Sequence, residues 1–176
     1  MKLRILVIVA LVFGATFFAF GMKASAATTI TPEKVARIRM RCVENQAVLN
    51  RLQTTDVFLR NDRGNLYRTI SDKLMVPLNR RIAANSLDAG PLLKITSDYN
   101  EEYSRFFDAY VVYDNSLSKL RSINCDREPV AFYNALLDTR DKRAKLAASN
   151  QAIRELIRQY GLAFTNFKTE FESRNP

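Results

Sequence analysis

Residue types that carry most enzymatic chemistry are sparse in this chain. It has two cysteines, Cys42 and Cys125, and no histidine. Without imidazole there is no Ser-His or Cys-His nucleophile pair and none of the common zinc ligand sets. The remaining acid-base candidates are Glu101-Glu102, Asp126 with Glu128, and Glu170 with Glu172. On a helix such near neighbours do not face each other, so they read as solvated charges or cap residues. No glycine-rich phosphate loop and no dinucleotide fingerprint is present. The expectation is a protein with no catalytic, cofactor-binding or metal-binding residue, and therefore not an enzyme.

Two other groupings could make contacts. Lys34, Arg37 and Arg41 fall on one face of a helix, with Arg39 beside them, and could meet an anionic surface. A run of aromatics from Tyr99 to Tyr113 could line an apolar groove, although aromatics at seam positions are mainly core. Because those aromatics do not interleave with the basic residues, no nucleic-acid partner is expected.

The compartment follows from the first residues. Lys2 and Arg4 precede an apolar run from Ile5 to Phe20, and Ala24-Ser25-Ala26 offers a small-residue cleavage site. Residues 1–26 therefore read as a signal peptide, leaving a single domain over residues 27–176. The alternative is a membrane anchor formed by the uncharged residues 5–22, and a membrane association is expected only if that segment is uncleaved. Removing Lys2, Arg4 and Lys23 leaves 24 basic side chains against 18 acidic ones, a net charge of +6. An exported basic protein meets anionic headgroups, wall polymers and acidic proteins, so a protein or anionic envelope partner is expected, of unknown identity.

The elements that position these residues are helical. Five glycines and five prolines in 176 residues are too few for turn-rich β structure. Thr31-Pro32-Glu33 is a helix start, with a hydroxyl cap, a proline in the first turn and an acid. Val35, Ile38, Cys42, Leu49, Leu52 and Leu59 form a seam that continues as Leu66, Ile70, Leu74, Leu78 and Ile82 to about Asn85, polar at Asp56 and Arg63 between its halves. Pro77 should kink this helix. After a turn at Leu87-Asp88-Ala89-Gly90-Pro91, a second seam resembling a coiled coil steps by threes and fours from Leu92 to Leu120, with Phe107 and Val111 widening it towards a second neighbour. A last helix starts at Pro129. Its small-residue middle, Ala144 to Ala152, should let another helix approach closely.

Two cysteines in an exported chain pair more readily than they do anything else. A Cys42–Cys125 bond would close a loop worth about 4 to 5 kcal/mol on the chain-entropy account. The bond also separates two topologies. A break near residues 60–65 gives a four-helix bundle with the cysteines at opposite ends, tens of ångströms apart at about 1.5 Å per residue. A first helix continuous through Gly64 instead sets Arg121 beside roughly residue 56, with Cys42 about 20 Å further on. The extended residues Ser122 to Cys125 recover about 13 Å of that. The expected fold is all-α, an antiparallel bundle of three long helices.

Cys42, Pro77-Leu78-Asn79 with Arg81-Ile82, Asn85 with Leu87-Asp88, and Cys125 with Pro129, Phe132 and Tyr133 form a pattern over most of residues 27–176. It resembles the uncharacterised, predicted-secreted helical proteins of candidate phyla radiation bacteria, Saccharibacteria in particular. The resemblance implies export, a helical bundle and a shared disulfide, and it transfers no catalytic or binding residue. The leading functional expectation is a non-enzymatic exported bundle acting through protein or cell-envelope contacts, as a structural, adaptor or adhesion component. A periplasmic holdase-like chaperone is the first alternative, and a small carboxylate-based enzyme the second.

Overall fold

The computed structural model describes residues 30–174; the signal-peptide and anchor readings of residues 1–26 lie outside the described residues. The described residues are all-helical, without a strand. In order they form α1 (Pro32–Met40), α2 (Cys42–Thr69), a π-helical stretch (Ile70–Met75), α3 (Val76–Ala84), α4 (Gly90–Ser122) and α5 (Pro129–Arg174). The start of α1 is as expected: Thr31 has extended backbone and its Oγ1 accepts a hydrogen bond from the Lys34 amide at 3.4 Å, while Pro32 opens the helix.

Residues 60–65 lie inside α2, so the chain does not reverse there. Gly64 costs about 1 kcal/mol relative to Ala in a helix, and the single element formed here carries that cost. The first helical run nevertheless departs from an unbroken helix at two places. Arg41, with φ −106° and ψ 18°, leaves one turn residue between α1 and α2. At Ile70–Met75 the turns widen, and the Val76 amide donates to the Ser71 carbonyl five residues back. The wider turns end just before Pro77, which has no N–H to donate and whose ring would press on the carbonyl four residues earlier. The expected kink at Pro77 is therefore taken up in the preceding turn, as a change of helix type.

That change also moves the buried face. Of the expected seam, Leu66 and Leu74 are exposed, Ile70 and Leu78 are half-buried and Ile82 is buried; Tyr67, Ser71, Met75 and Asn79, one residue further on, are buried as well. Steps of four residues stay on one face when the local turn is wider than 3.6. Seam positions assigned with a fixed helical period are thus one residue out of phase at Leu66 and Leu74, and back in step at Ile82.

α4 follows the sequence pattern closely, with Leu92, Tyr99, Phe106, Tyr110, Tyr113, Leu117 and Leu120 all buried. Phe107 and Val111, expected to widen its stripe, remain about half exposed. Cross-helix hydrogen bonds pair rising numbers in the first run with falling numbers in α4. Gln46 Nε2 donates to the Ile123 carbonyl at 2.9 Å, Arg121 Nε to Asn50 Oδ1 at 2.8 Å, and Tyr99 Oη to the Tyr67 carbonyl at 2.8 Å. The first run and α4 therefore run in opposite directions. α4 and α5 also oppose each other: Ser116 meets Asp138 and Thr139, and Ser149 Oγ donates to Glu102 Oε1 at 2.6 Å.

Arg121 stands beside Asn50, not beside residue 56. The wider turns at 70–75 use up extra residues in the first run, which shifts the register in this direction. Asn50 is eight residues from Cys42, about 12 Å of helix, and the connection from Ser122 covers that distance. Cys42 and Cys125 stand at disulfide distance, with Cα atoms 5.4 Å apart.

Candidate functional site

α4 packs along both α5 and α2, whereas α2 and α5 come close at almost no point along their backbones. Side chains line the space between them. At one end, the first turns of α1 and α2 face the start of α5 across a groove of about 460 Å³. Lys34, Arg37 and Arg41 line it, as expected from their common helix face, and Arg140 joins them from α5. Its apolar lining includes Leu49, Phe132, Tyr133 and Leu136. Lys34 is held over the Tyr133 ring, its Nζ 5.3 Å from the ring centre, and it also donates to the Tyr133 hydroxyl at 3.4 Å.

Arg39, grouped with this cluster in the sequence, leaves it. Its Nε donates to the Asp126 carbonyl at 3.1 Å, on the α4–α5 connection. Arg39 therefore fastens the connection beside the Cys42–Cys125 pair and is not one of the groove residues. Its position on the helix explains this: at one residue from Ile38 and two from Arg37 it projects around the helix and away from α5. Among the described residues no acidic side chain is within ion-pair distance of Lys34, Arg37, Arg41 or Arg140. Four cations surround an apolar floor without internal neutralisation. Arg140 was missed because its partners come from an element about 100 residues away, and only the fold brings them together.

A second cavity of about 220 Å³ lies further along, among α2, α4 and α5. Here Asp56, Arg60, Arg63 and Arg143 meet aromatic side chains of α4. Tyr113 Oη donates to Asp56 Oδ2 at 2.5 Å, and Arg143 Nη2 is 3.7 Å from Asp56 Oδ1. Burial, followed by this bond to the Asp56 carboxylate, pushes the Tyr113 hydroxyl well above the ordinary tyrosine range. The polar seam positions Asp56 and Arg63 were the sequence signal for this cavity. In the small-residue middle of α5, Ser149 is buried against α4, while Ala144, Ala147 and Ala148 are exposed and Ala147 lines the cavity. The chain matches no protein-family model, no curated protein and no solved structure.

The carboxylates considered for acid-base work are engaged in ordinary surface pairs or lie on the connection. Glu101 and Glu102 both pair with Arg105, and Glu102 also accepts from Ser149. Glu170 pairs with Arg174 and Glu172 with Lys168. Asp126 and Glu128 are exposed beside the disulfide pair. Among the described residues no group of three or more metal-ligating side chains comes together, and no helix is long and apolar enough to cross a membrane.

Towards the end of the bundle away from the groove lies a buried polar line. Asn79, 2% exposed, donates through Nδ2 to Thr96 Oγ1 at 2.8 Å and accepts from Tyr160 Oη at 2.7 Å. It joins the first run to α4 and α5 at one point. Nothing in the spacing of Asn79 marks it as core, because an asparagine in an apolar seam looks like a break in the pattern.

Proposed function

We propose that this is an exported, non-enzymatic protein built as an antiparallel bundle of three long helical arms, acting through contacts with an anionic cell-envelope surface. The observation that carries the reading is the groove of Lys34, Arg37, Arg41 and Arg140. Four unneutralised cations over an apolar floor suit an oxyanion-bearing surface with some apolar body, whether a lipid headgroup layer or a phosphate-bearing wall polymer. Phe132 and Tyr133 would rest against the apolar part, and the arginines would contact the anions with paired donors. The Cys42–Cys125 pair and the Arg39 contact to Asp126 support the same end of the molecule, which favours a rigid contact face. In this reading the protein is a structural, adaptor or adhesion component, and the groove is its point of attachment.

The direct test is sedimentation with vesicles and with isolated wall material. Vesicles containing an anionic lipid, or phosphate-bearing walls, should pull the protein down, and neutral vesicles should not. Raising ionic strength from about 0.05 to about 0.5 M should release it. Arg37→Glu with Arg140→Glu should weaken binding by about tenfold or more, about 1.4 kcal/mol for each tenfold step. Equal binding to neutral and anionic material would remove the basis of the proposal.

A further inference from the structure

The cavity among α2, α4 and α5 is separate from the envelope groove and carries its own arrangement. Three guanidinium groups, Arg60, Arg63 and Arg143, border it, with one carboxylate, Asp56. That carboxylate is already shared between the Tyr113 hydroxyl and Arg143. Arg63 Nη1 donates to Asn150 Oδ1 at 3.4 Å, and the Tyr67 hydroxyl donates to the same oxygen. Arg60 is held over the ring of Tyr110, its guanidinium carbon 4.8 Å from the ring centre, and is 5.9 Å from that of Phe107. It is thereby pre-positioned, yet its Nε–H is shielded from water and has no acceptor. A shielded donor with no acceptor is unfavourable, and three guanidinium groups against Asp56 in the lining, with Asp114 reaching the Tyr110 hydroxyl from outside it, still leave net positive charge that favours an anion.

The rest of the lining is apolar or aromatic: Phe106, Tyr110, Leu146 and Ala147 contribute to the wall. A cavity of about 220 Å³ exceeds the roughly 150 Å³ known to admit a benzene-sized guest. We infer that this cavity binds a small organic anion, an oxyanion group carried on a ring-sized apolar body. The oxyanion meets Arg60 and Arg143, and the body packs against the α4 aromatics. The inference does not rest on the envelope reading, since none of these residues lines the groove.

Phenyl phosphate is a suitable probe, with phenol and inorganic phosphate as its two halves. Calorimetric titration of the purified protein, with its disulfide formed, should give saturable one-to-one binding of phenyl phosphate. Each half alone should bind about tenfold more weakly or worse. Arg60→Gln and Arg143→Gln should each weaken phenyl phosphate by about tenfold, whereas Arg140→Gln, in the groove, should leave it unchanged. Nuclear Overhauser contacts from the phenyl protons to the Tyr110 ring, measured on the unsubstituted protein, provide a readout that does not depend on any variant folding. The inference is overturned by absence of saturation up to about 10 mM probe. It is equally overturned by phenol or inorganic phosphate binding as well as the whole probe, by no contact to Tyr110, or by binding that is lost in Arg140→Gln and kept in Arg60→Gln.

Discussion

Cys42 and Cys125 are 83 residues apart in sequence and 5.4 Å apart between Cα atoms. The pair fastens the α4–α5 connection to the start of α2, next to Arg39 and Gln46, which hold the same connection through the Asp126 and Ile123 carbonyls. Cys125 is fully buried. Cys42→Ala should therefore lower stability, with about 4 to 5 kcal/mol as the chain-entropy ceiling for a loop of this length. Urea unfolding of the oxidised protein and the variant measures this. Thiol titration of the denatured, unreduced wild type should find no free thiol.

Asn79 joins three helical segments through Thr96 and Tyr160. Asn79→Ala leaves the Tyr160 hydroxyl with only its longer contact to the Met75 carbonyl, at 3.4 Å, and opens a small void. The expected loss is about 2 to 4 kcal/mol, from two lost buried hydrogen bonds plus lost packing. Tyr160→Phe removes the hydroxyl itself and should cost less, about 1 kcal/mol. Chemical denaturation of both variants checks the order; an equal or reversed order would mean that the hydrogen bond is not what makes Asn79 costly to replace.

Ser86 closes α3 with φ 57°, a left-handed conformation that suits glycine. Its amide donates to the Ala83 carbonyl at 3.0 Å and the Leu87 amide to the Ile82 carbonyl at 3.2 Å, the paired bonds of a Schellman motif. Ser86→Gly should accordingly stabilise the protein by up to about 1 kcal/mol, visible as a higher thermal midpoint. Ser86→Val should destabilise it.

Much of this architecture was legible in the residues. Thr31-Pro32 marked the start of α1, the turn before Pro91 was plain, and the regular steps from Leu92 to Leu120 gave the buried face of α4. What the spacing did not contain was the π stretch at 70–75, which reconciles Pro77 with continuous packing and moves Tyr67 and Met75 inward in place of Leu66 and Leu74. Local periodicity assumes one residue count per turn, so a change of helix type throws it out of phase. The groove was half legible. Lys34, Arg37 and Arg41 share a face by spacing alone, but Arg140 and the departure of Arg39 depend on where α5 and the connection lie. The second cavity announced itself only as polar residues, Asp56 and Arg63, in an apolar seam.

Alkaline pH should unfold the protein. Burial raises the Tyr99 hydroxyl well above the ordinary tyrosine value, and burial with the Asp56 bond raises that of Tyr113. A group whose folded value is raised contributes stability in full below its unfolded value, about 10, and loses it as pH rises towards the folded value. Stability should hold up to about pH 10 and fall steeply above it. Parallel ultraviolet titration of tyrosine ionisation and circular dichroism checks this. Ionisation of the buried tyrosines should coincide with loss of helix.

The central claim is that the basic groove attaches an exported protein to an anionic envelope surface. Its most direct test is the fraction of exported protein retained on the producing cells, compared between the wild type and Arg37→Glu with Arg140→Glu, with Arg68→Glu plus Arg154→Glu as a charge-matched double reversal at exposed positions outside the groove. The account predicts that the wild type and the Arg68→Glu, Arg154→Glu variant stay with the envelope until salt is raised, while the groove double reversal passes into the medium. Retention of the groove double reversal at the wild-type level, with its helical content intact, would contradict the account.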